Sequence, residues 1–442
     1  MQLTRRQMLA SLSSMAYYSA LSTTPTWIAH SAEALFGAEA DADGRILVIL
    51  QHGGGMDGLN TVIPRTDDIY YDAQTRPNIQ VPRGSEINLD GLNGFHPQLS
   101  RLADWYQQGN VGVIQNVGYE NPNQSHFTST DIYEYGQNPL EFPLEKGWAA
   151  RFYDNQCDGC DSHPLDMLIA GKSSVPDSLA GANFYVPPAI SNPSDYSIRA
   201  NEDADLRLQA INKLNQLTAS DPQIDFLQRS ANAVQASIQD IATASALAEL
   251  VPDGSYSDDS FGRGLRLTSQ IIRSGFQTRI FYVSQGGYDT HSNQVAAANP
   301  LEQGSHPRLM GRFDQSVDAF LTEMRESGNL DRVMIMTFSE FGRRVYENGS
   351  LGTDHGAANC MFLFGGGIQG GVYGGQPDLE DVSRGNLKYN VDFRSVYAQV
   401  IENWFGADAA PVFGQSAYEN AIRPGMADVP FIAEPVNAVS GQ

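Results

Sequence analysis

Short, almost unbroken apolar runs recur along the chain: RILVIL (45–50), VGVIQNV (111–117), LDMLIA (165–170), RIFYVS (279–284), RVMIMTF (332–338) and MFLFGG (361–366). Each has strand length and is bounded by turn residues, the pattern of strands buried on both faces. Helical periodicity fills the intervals. HPQLSRLADWYQQG precedes the second run, and GRGLRLTSQIIRSG precedes the fourth. RLMGRFDQSVDAFLTEMRESG leads into the fifth, with Leu309, Phe313, Val317, Phe320, Leu321 and Met324 near one face. FRSVYAQVIENWFG (393–406) reads as a late amphipathic helix ending on a glycine stop. Strands alternating with helices imply an α/β fold, a mostly parallel sheet covered on both sides. The stretch 200–250 is rich in helical pattern and reads as an insertion on that sheet. No linker marks a second domain, so 41–442 is expected to be one domain.

In open parallel sheets ligands gather beyond the carboxyl ends of strands, so the residues that follow each run carry the candidate chemistry. HGGGMDGLN brings Asp57, SHFTSTDIY brings Ser125 and His126, and YDTHSNQ brings Asp289 and His291. SEFGRR brings Glu340, and GTDHG brings Asp354 and His355. Four of the eight histidines, His52, His126, His291 and His355, fall in these loops, which favours convergence on one face. Carboxylate and imidazole suit a divalent ion such as Zn²⁺, Mg²⁺ or Ca²⁺, and mixed Asp/His sets are typical of two-metal hydrolytic sites. A hydroxyl such as that of Ser125 could then attack a phosphoryl or sulfuryl centre. Each residue also has a plainer use. Asp57 could cap a helix, Ser125 could be an N-cap, and DTH and TDHG could be simple turns. Arg343 and Arg344 could bind an anion or pair with Glu347.

Composition narrows the class. With 28 Lys and Arg against 51 Asp and Glu, the net charge is −23, which repels nucleic acid and anionic membrane and draws in cations. No apolar run reaches the length of a membrane span. The start is informative: TRRQML sets Arg5 and Arg6 before a mildly apolar stretch with small-residue sites at Ala32–Ala34 and Ala38–Ala40. Residues 1–40 are therefore expected to be a twin-arginine export signal and linker, placing the chain in the periplasm or outside the cell. Of the three cysteines, Cys157 and Cys160 read as a loop staple or two inert thiols.

In order along the chain, GGGMDGLNTVIP, SHF, GGYDTHSNQ, FSEFGR, GTDHG…FLFGGGIQGGVYG and VDFRSVYAQVIENWFG resemble the exported family called domain of unknown function 1501. That family looks like a branch of the alkaline phosphatase and sulfatase superfamily. The resemblance implies an α/β/α sandwich around a mostly parallel sheet. It also implies a first-strand metal Asp at Asp57 and a nucleophile at Ser125. An Asp and His of one metal would fall on Asp289 and His291, the strand-end Asp-His pair on Ser339 and Glu340, and a last His on His355. No Cys or Ser stands in the Cys-x-Pro-x-Arg type of setting that a sulfatase formylglycine needs. Two readings follow. In one the chain is a metal-dependent hydrolase, with Asp57, Glu340 and His355 on one ion and Asp289 and His291 on a second. In the other it is a non-catalytic exported protein that binds an envelope protein or a polysaccharide.

Overall fold

The computed structural model describes residues 44–139, 144–156, 165–183, 186–193, 209, 213 and 221–432. The twin-arginine segment, Cys157, Cys160 and nearly all of 200–220 lie outside the described residues. β1 (Ile46–Gly53) opens the central sheet, and β2 (Val62–Pro64), β3 (Ile87–Asn88) and β4 (Asn93–Phe95) form a small separate sheet. β5 (Val111–Gly118), β6 (Met167–Ala170), β7 (Ala189–Ile190), β8 (Ile280–Gly286) and β9 (Val333–Phe338) return to the central sheet. β10 (Arg343–Glu347) and β11 (Thr353–His355) make a hairpin, after which β12 (Asn359–Phe364), β13 (Gly371–Tyr373) and β14 (Val391–Asp392) complete the central sheet.

The strand order is β13-β5-β12-β9-β1-β8-β6-β7, with β14 also paired to β5. The fold is α/β with a mixed, mostly parallel sheet. β12 runs antiparallel to both β5 and β9, while the other pairings of this sheet are parallel. The reason is the connection from β9. It leaves at the strand's carboxyl end, spends its residues on the β10–β11 hairpin, and re-enters from the same rim. A parallel return would need a crossover to the far rim.

Alternate residues of the central strands enter two separate cores, which is why the apolar runs are unbroken. Leu47, Ile49, Tyr282, Met334 and Met336 pack with Trp148, Phe393, Val396 and Tyr397. Ile46, Val48, Leu50, Phe281, Val283 and Ile335 pack with Leu265, Ile272, Phe313, Val317 and Phe320. The helices Ser260–Arg273 and Ser305–Glu326 therefore cover one face, and Trp148–Gln156 and Phe393–Gln399 cover the other. The late helix is shorter than its periodicity predicts, because it passes into a π turn over Val400–Trp404 that brings Trp404 Nε1 to Ile46 O at 3.2 Å. From the helix-rich insertion the helix Pro222–Ser245 is described, capped by Asp221 through Gln223 N and Ile224 N. No helix among the described residues is long and apolar enough to cross a membrane.

Register places the site. Gln51 pairs with Phe338, and His52 and Gly53 pair with Gln285 and Gly286, so β1, β8 and β9 end level. Asn359 pairs with Val117, which puts the start of β12 and the end of β5 at that same rim.

Candidate metal centre

Four loops at this rim bring their side chains together. His126 opens the helix His126–Tyr135 after β5, Asp289 and His291 follow β8, Glu340 follows β9, and His355 ends the hairpin. Asp289 Oδ1 is the hub. It lies 3.1 Å from His291 Nε2, 3.2 Å from His355 Nε2 and 3.4 Å from His126 Nε2. His291 Nε2 and His355 Nε2 are 2.8 Å apart.

The outer ring nitrogens explain this convergence. His355 Nδ1 lies 2.8 Å from Gln124 O, and a carbonyl only accepts, so the proton sits on Nδ1 and Nε2 keeps its lone pair. His126 Nδ1 lies 2.8 Å from Glu340 Oε1, which fixes the same tautomer. His291 Nδ1 faces Asp354 Oδ1 at 3.5 Å. Each imidazole thus turns one nitrogen to an oxygen and the other to the hub, the arrangement that supports histidine ligands of a metal. His126 Nε2 is buried and meets no hydrogen-bond partner among the described residues. His126, Asp289 and His355 each offer a ligand atom within 4.8 Å of the others, room for one ion whose tetrahedral ligands would lie about 3.3 Å apart, and His291 Nε2 adjoins two of them. A set of three imidazoles and one carboxylate favours zinc over the oxygen-seeking Mg²⁺ and Ca²⁺.

Supporting contacts hold the set rigid. Arg343, whose side chain is fully buried, donates to Asp289 Oδ1 at 2.8 Å, Gly55 O at 2.7 Å, Thr353 O at 2.9 Å and Tyr288 O at 3.0 Å, and also to Gly54 O. One guanidinium therefore ties the β1 loop, the β8 loop and the hairpin to the hub. Burial works to raise the Asp289 carboxyl, but the hydrogen bond and the charge of Arg343 outweigh it and hold it at about 2. Burial lowers His355, favouring the neutral ring that a metal requires. Glu340 is buried; its Oε1 also accepts Gly54 N at 2.8 Å, and Ser339 Oγ bridges to His52 O at 2.7 Å. The Phe341 ring packs against His355 and His126, with centroids 4.6 and 4.9 Å away. Gly55, at φ +74, lets that ring approach, since a Cβ there would meet Phe341 Cε2 at 2.4 Å.

The expected ligands are therefore sorted differently from the reading of the sequence. Asp289, His291 and His355 meet at the hub, together with His126, which the sequence marked only as a loop histidine beside Ser125. Glu340 lies one layer out, because His126 and Gly54 take its oxygen. Asp354 lies behind His291, half-exposed. Asp57 is a correction: it is buried in an ion pair with Arg76 at 2.7 Å, accepts Gln294 Nε2 at 2.6 Å and caps Asn60 N. A carboxylate so engaged faces the interior, and the two expected ion sites reduce to one cluster. Burial favours the neutral acid at Asp57, but Arg76 outweighs it and lowers its pKa. Ser125 is exposed and caps no helix N–H; its neighbours Gln124 and His126 both belong to the centre. Glu347, the expected partner of the arginine pair, accepts instead from Asn78 N and Nδ2 and from Ile79 N.

Three solved structures illustrate what the chain is similar to. The phosphonate monoester hydrolase from Silicibacter pomeroyi is 10% identical, with 83% of this chain and 74% of that one covered and a TM-score of 0.37. The zinc complex of the C-terminal periplasmic domain of EptC from Escherichia coli is 9% identical, with 74% of each chain covered and a TM-score of 0.34. Alkaline phosphatase from the Antarctic bacterium TAB5 is 11% identical, with 74% of this chain and 93% of that one covered and a TM-score of 0.29. No curated protein matches. The model of the family described as "Protein of unknown function (DUF1501)" matches residues 174–410, more than half of the sequence, and the chain belongs to that family.

Proposed function

We propose that this protein is a zinc-dependent hydrolase of phosphate or related esters, exported from the cytoplasm by the twin-arginine route. The observation that carries the reading is the convergence of three imidazole Nε2 atoms within 3.4 Å of one carboxylate oxygen. His126, His291, His355 and Asp289 would hold the ion. When bound, zinc would supply Lewis-acid polarisation of an ester oxygen. Arg343 fixes the Asp289 carboxylate, and Glu340 orients His126. Ser125, exposed between two residues of the centre, is the hydroxyl available to attack the ester. A net charge of −23 raises the local concentration of cations.

The test is hydrolysis of p-nitrophenyl phosphate by the zinc-loaded protein. Turnover should vanish with chelator, return with zinc, and be lost in Ser125→Ala while zinc stays bound. Zinc binding with no turnover of phosphate or sulfate esters would favour the non-catalytic reading, in which the rim binds an envelope protein or polysaccharide. Export is tested by Arg5→Lys with Arg6→Lys, which should retain the chain in the cytoplasm; unchanged fractionation would contradict it.

A further inference from the structure

Two stretches of the chain, PQLSR (97–101) and EQGSHPRLMGRFDQ (302–315), send Leu99, Leu309, Met310 and Phe313 into the core. Their other side chains line an open groove of about 770 Å³ between the start of the helix Ser100–Gln107 and the first turns of the helix Ser305–Glu326. That space would hold roughly 25 waters and is of the size that sites for organic ligands reach, about 300–1,000 Å³. Apart from Pro97, Pro307 and two glycines, every lining residue is polar. Gln98 ties the two walls. Its Nε2 donates to Leu301 O at 3.2 Å, and its Oε1 lies 3.2 Å from where a Cβ on Gly311 would stand.

The charge of the groove runs against that of the molecule. Three arginines and two acids line it, in a chain with 28 basic against 51 acidic residues. One of the acids, Asp314, has a side chain only 1% exposed, which accepts Leu102 N at 2.9 Å and Arg101 Nη1 at 3.0 Å. Glu302 is the other. Arg101 remains 53% exposed, and Arg312, which meets Asp259 through Nη1 at 3.3 Å, remains 44% exposed. Arg308 is exposed, and its side chain meets no acceptor among the described residues. Arg308 and Arg312 stand one helical turn apart, about 6 Å along the axis. None of the metal-holding residues lines the groove. The loop after β8 carries Asp289 and His291 at its start and 302–304 at its end. Buried Gln294 lies between, its O accepting His306 N at 2.9 Å and its Oε1 accepting the hydroxyls of Thr290 and Thr353.

We propose that this groove binds an acidic oligosaccharide, a chain of hydroxyl-bearing rings with carboxylate or sulfate groups, at a site separate from the metal centre. It goes beyond the hydrolase reading and holds whether or not the centre turns over esters. A polar lining offers an apolar ligand no surface to bury against, and the volume far exceeds that of one inorganic anion. Gln98 and Gln315 spend Nε2 on Leu301 O and Gly254 O, which leaves their side-chain carbonyls to accept from ligand hydroxyls. Arg308 and Arg312 supply the cations for acidic groups along the ligand. On a molecule of net charge −23 this positive strip is what lets a polyanion approach at all.

The experiment titrates oligogalacturonate and a chondroitin sulfate oligosaccharide into the full chain by calorimetry, with a neutral malto-oligosaccharide and linear polyphosphate in parallel. Each is run on zinc-loaded and on chelator-treated protein, for wild type, Arg308→Glu and Arg308→Lys. Wild type should bind at least one of the acidic oligosaccharides equally with and without zinc. Its affinity should fall at least tenfold in Arg308→Glu and recover in part in Arg308→Lys, with zinc content and melting temperature unchanged. Equal affinity in wild type and Arg308→Glu, or no binding of either acidic oligosaccharide, overturns the proposal. Binding of the neutral chain as tightly as the acidic ones, or of polyphosphate more tightly than either, overturns the ligand class. Binding that disappears with chelator assigns the ligand to the metal centre and overturns the groove. None of these results depends on turnover, so the hydrolase reading stands or falls separately.

Discussion

At the scale of single residues, the atoms that would touch an ion are distinct from the atoms that aim them. Glu340 aims His126 through a 2.8 Å contact to Nδ1 and touches no hub nitrogen. Glu340→Gln keeps the shape and an acceptor but removes the charge that makes the imidazole a stronger donor. Zinc affinity should fall by roughly 10- to 100-fold with the fold intact, as read by competition against a chromogenic chelator. Unchanged affinity would mean that His126 is no ligand. Asp289 and His291 could be found in the sequence because they stand just past the end of β8, and His355, the last residue of β11, because glycines bracket it in the polar excursion after β9. The engagement of Asp57 could not, because its partner Arg76 is set by tertiary contact and nothing in the local pattern around either residue names the other. The same holds for Arg343, whose acceptors come from three different loops.

At the scale of elements, the hairpin is the part that builds the centre, and its glycines work by close approach. Neither Gly352 nor Gly356 has a positive φ. A Cβ on Gly356 would lie 2.4 Å from Arg343 C, and one on Gly352 would lie 2.4 Å from His291 C and Thr290 O. Gly356→Ala should therefore push the two hairpin strands apart, cost about 1–3 kcal/mol in urea unfolding, and weaken zinc binding in the same protein. Full zinc affinity in a destabilised variant would detach the hairpin from the site. The six long strands were legible because burial on both faces leaves an unbroken apolar signature. The direction of β12 was not, because it depends on which rim the preceding loop returns to. Strands of two or three residues, such as β7 and β14, carry no periodic signal at all.

At the scale of the whole molecule, acid stability and metal linkage follow from buried groups. Burial lowers His52 and His96 to about 3 and also lowers His306, all below the ordinary histidine value near 6.5. The unfolded chain therefore binds protons that the native state refuses, and stability falls as pH drops from about 6.5 toward 3. Asp314, raised by burial to about 6, opposes this below pH 6, and Glu134, raised by burial, opposes it too. Stability should fall steadily from pH 6.5 to pH 5, measured by urea unfolding across pH in chelator-treated protein. A flat profile from pH 6.5 to 5 would contradict the neutral, buried state of these three rings. The central claim is tested most directly by the zinc content of the folded chain and of His355→Ala, measured by elemental analysis after dialysis, with melting in the presence and absence of chelator. The expected result is one zinc per chain, a melting temperature that chelator lowers, and a His355→Ala protein that is folded, nearly zinc-free and indifferent to chelator. Equal zinc in the two proteins, or a wild type that binds none and melts the same with chelator, would contradict it.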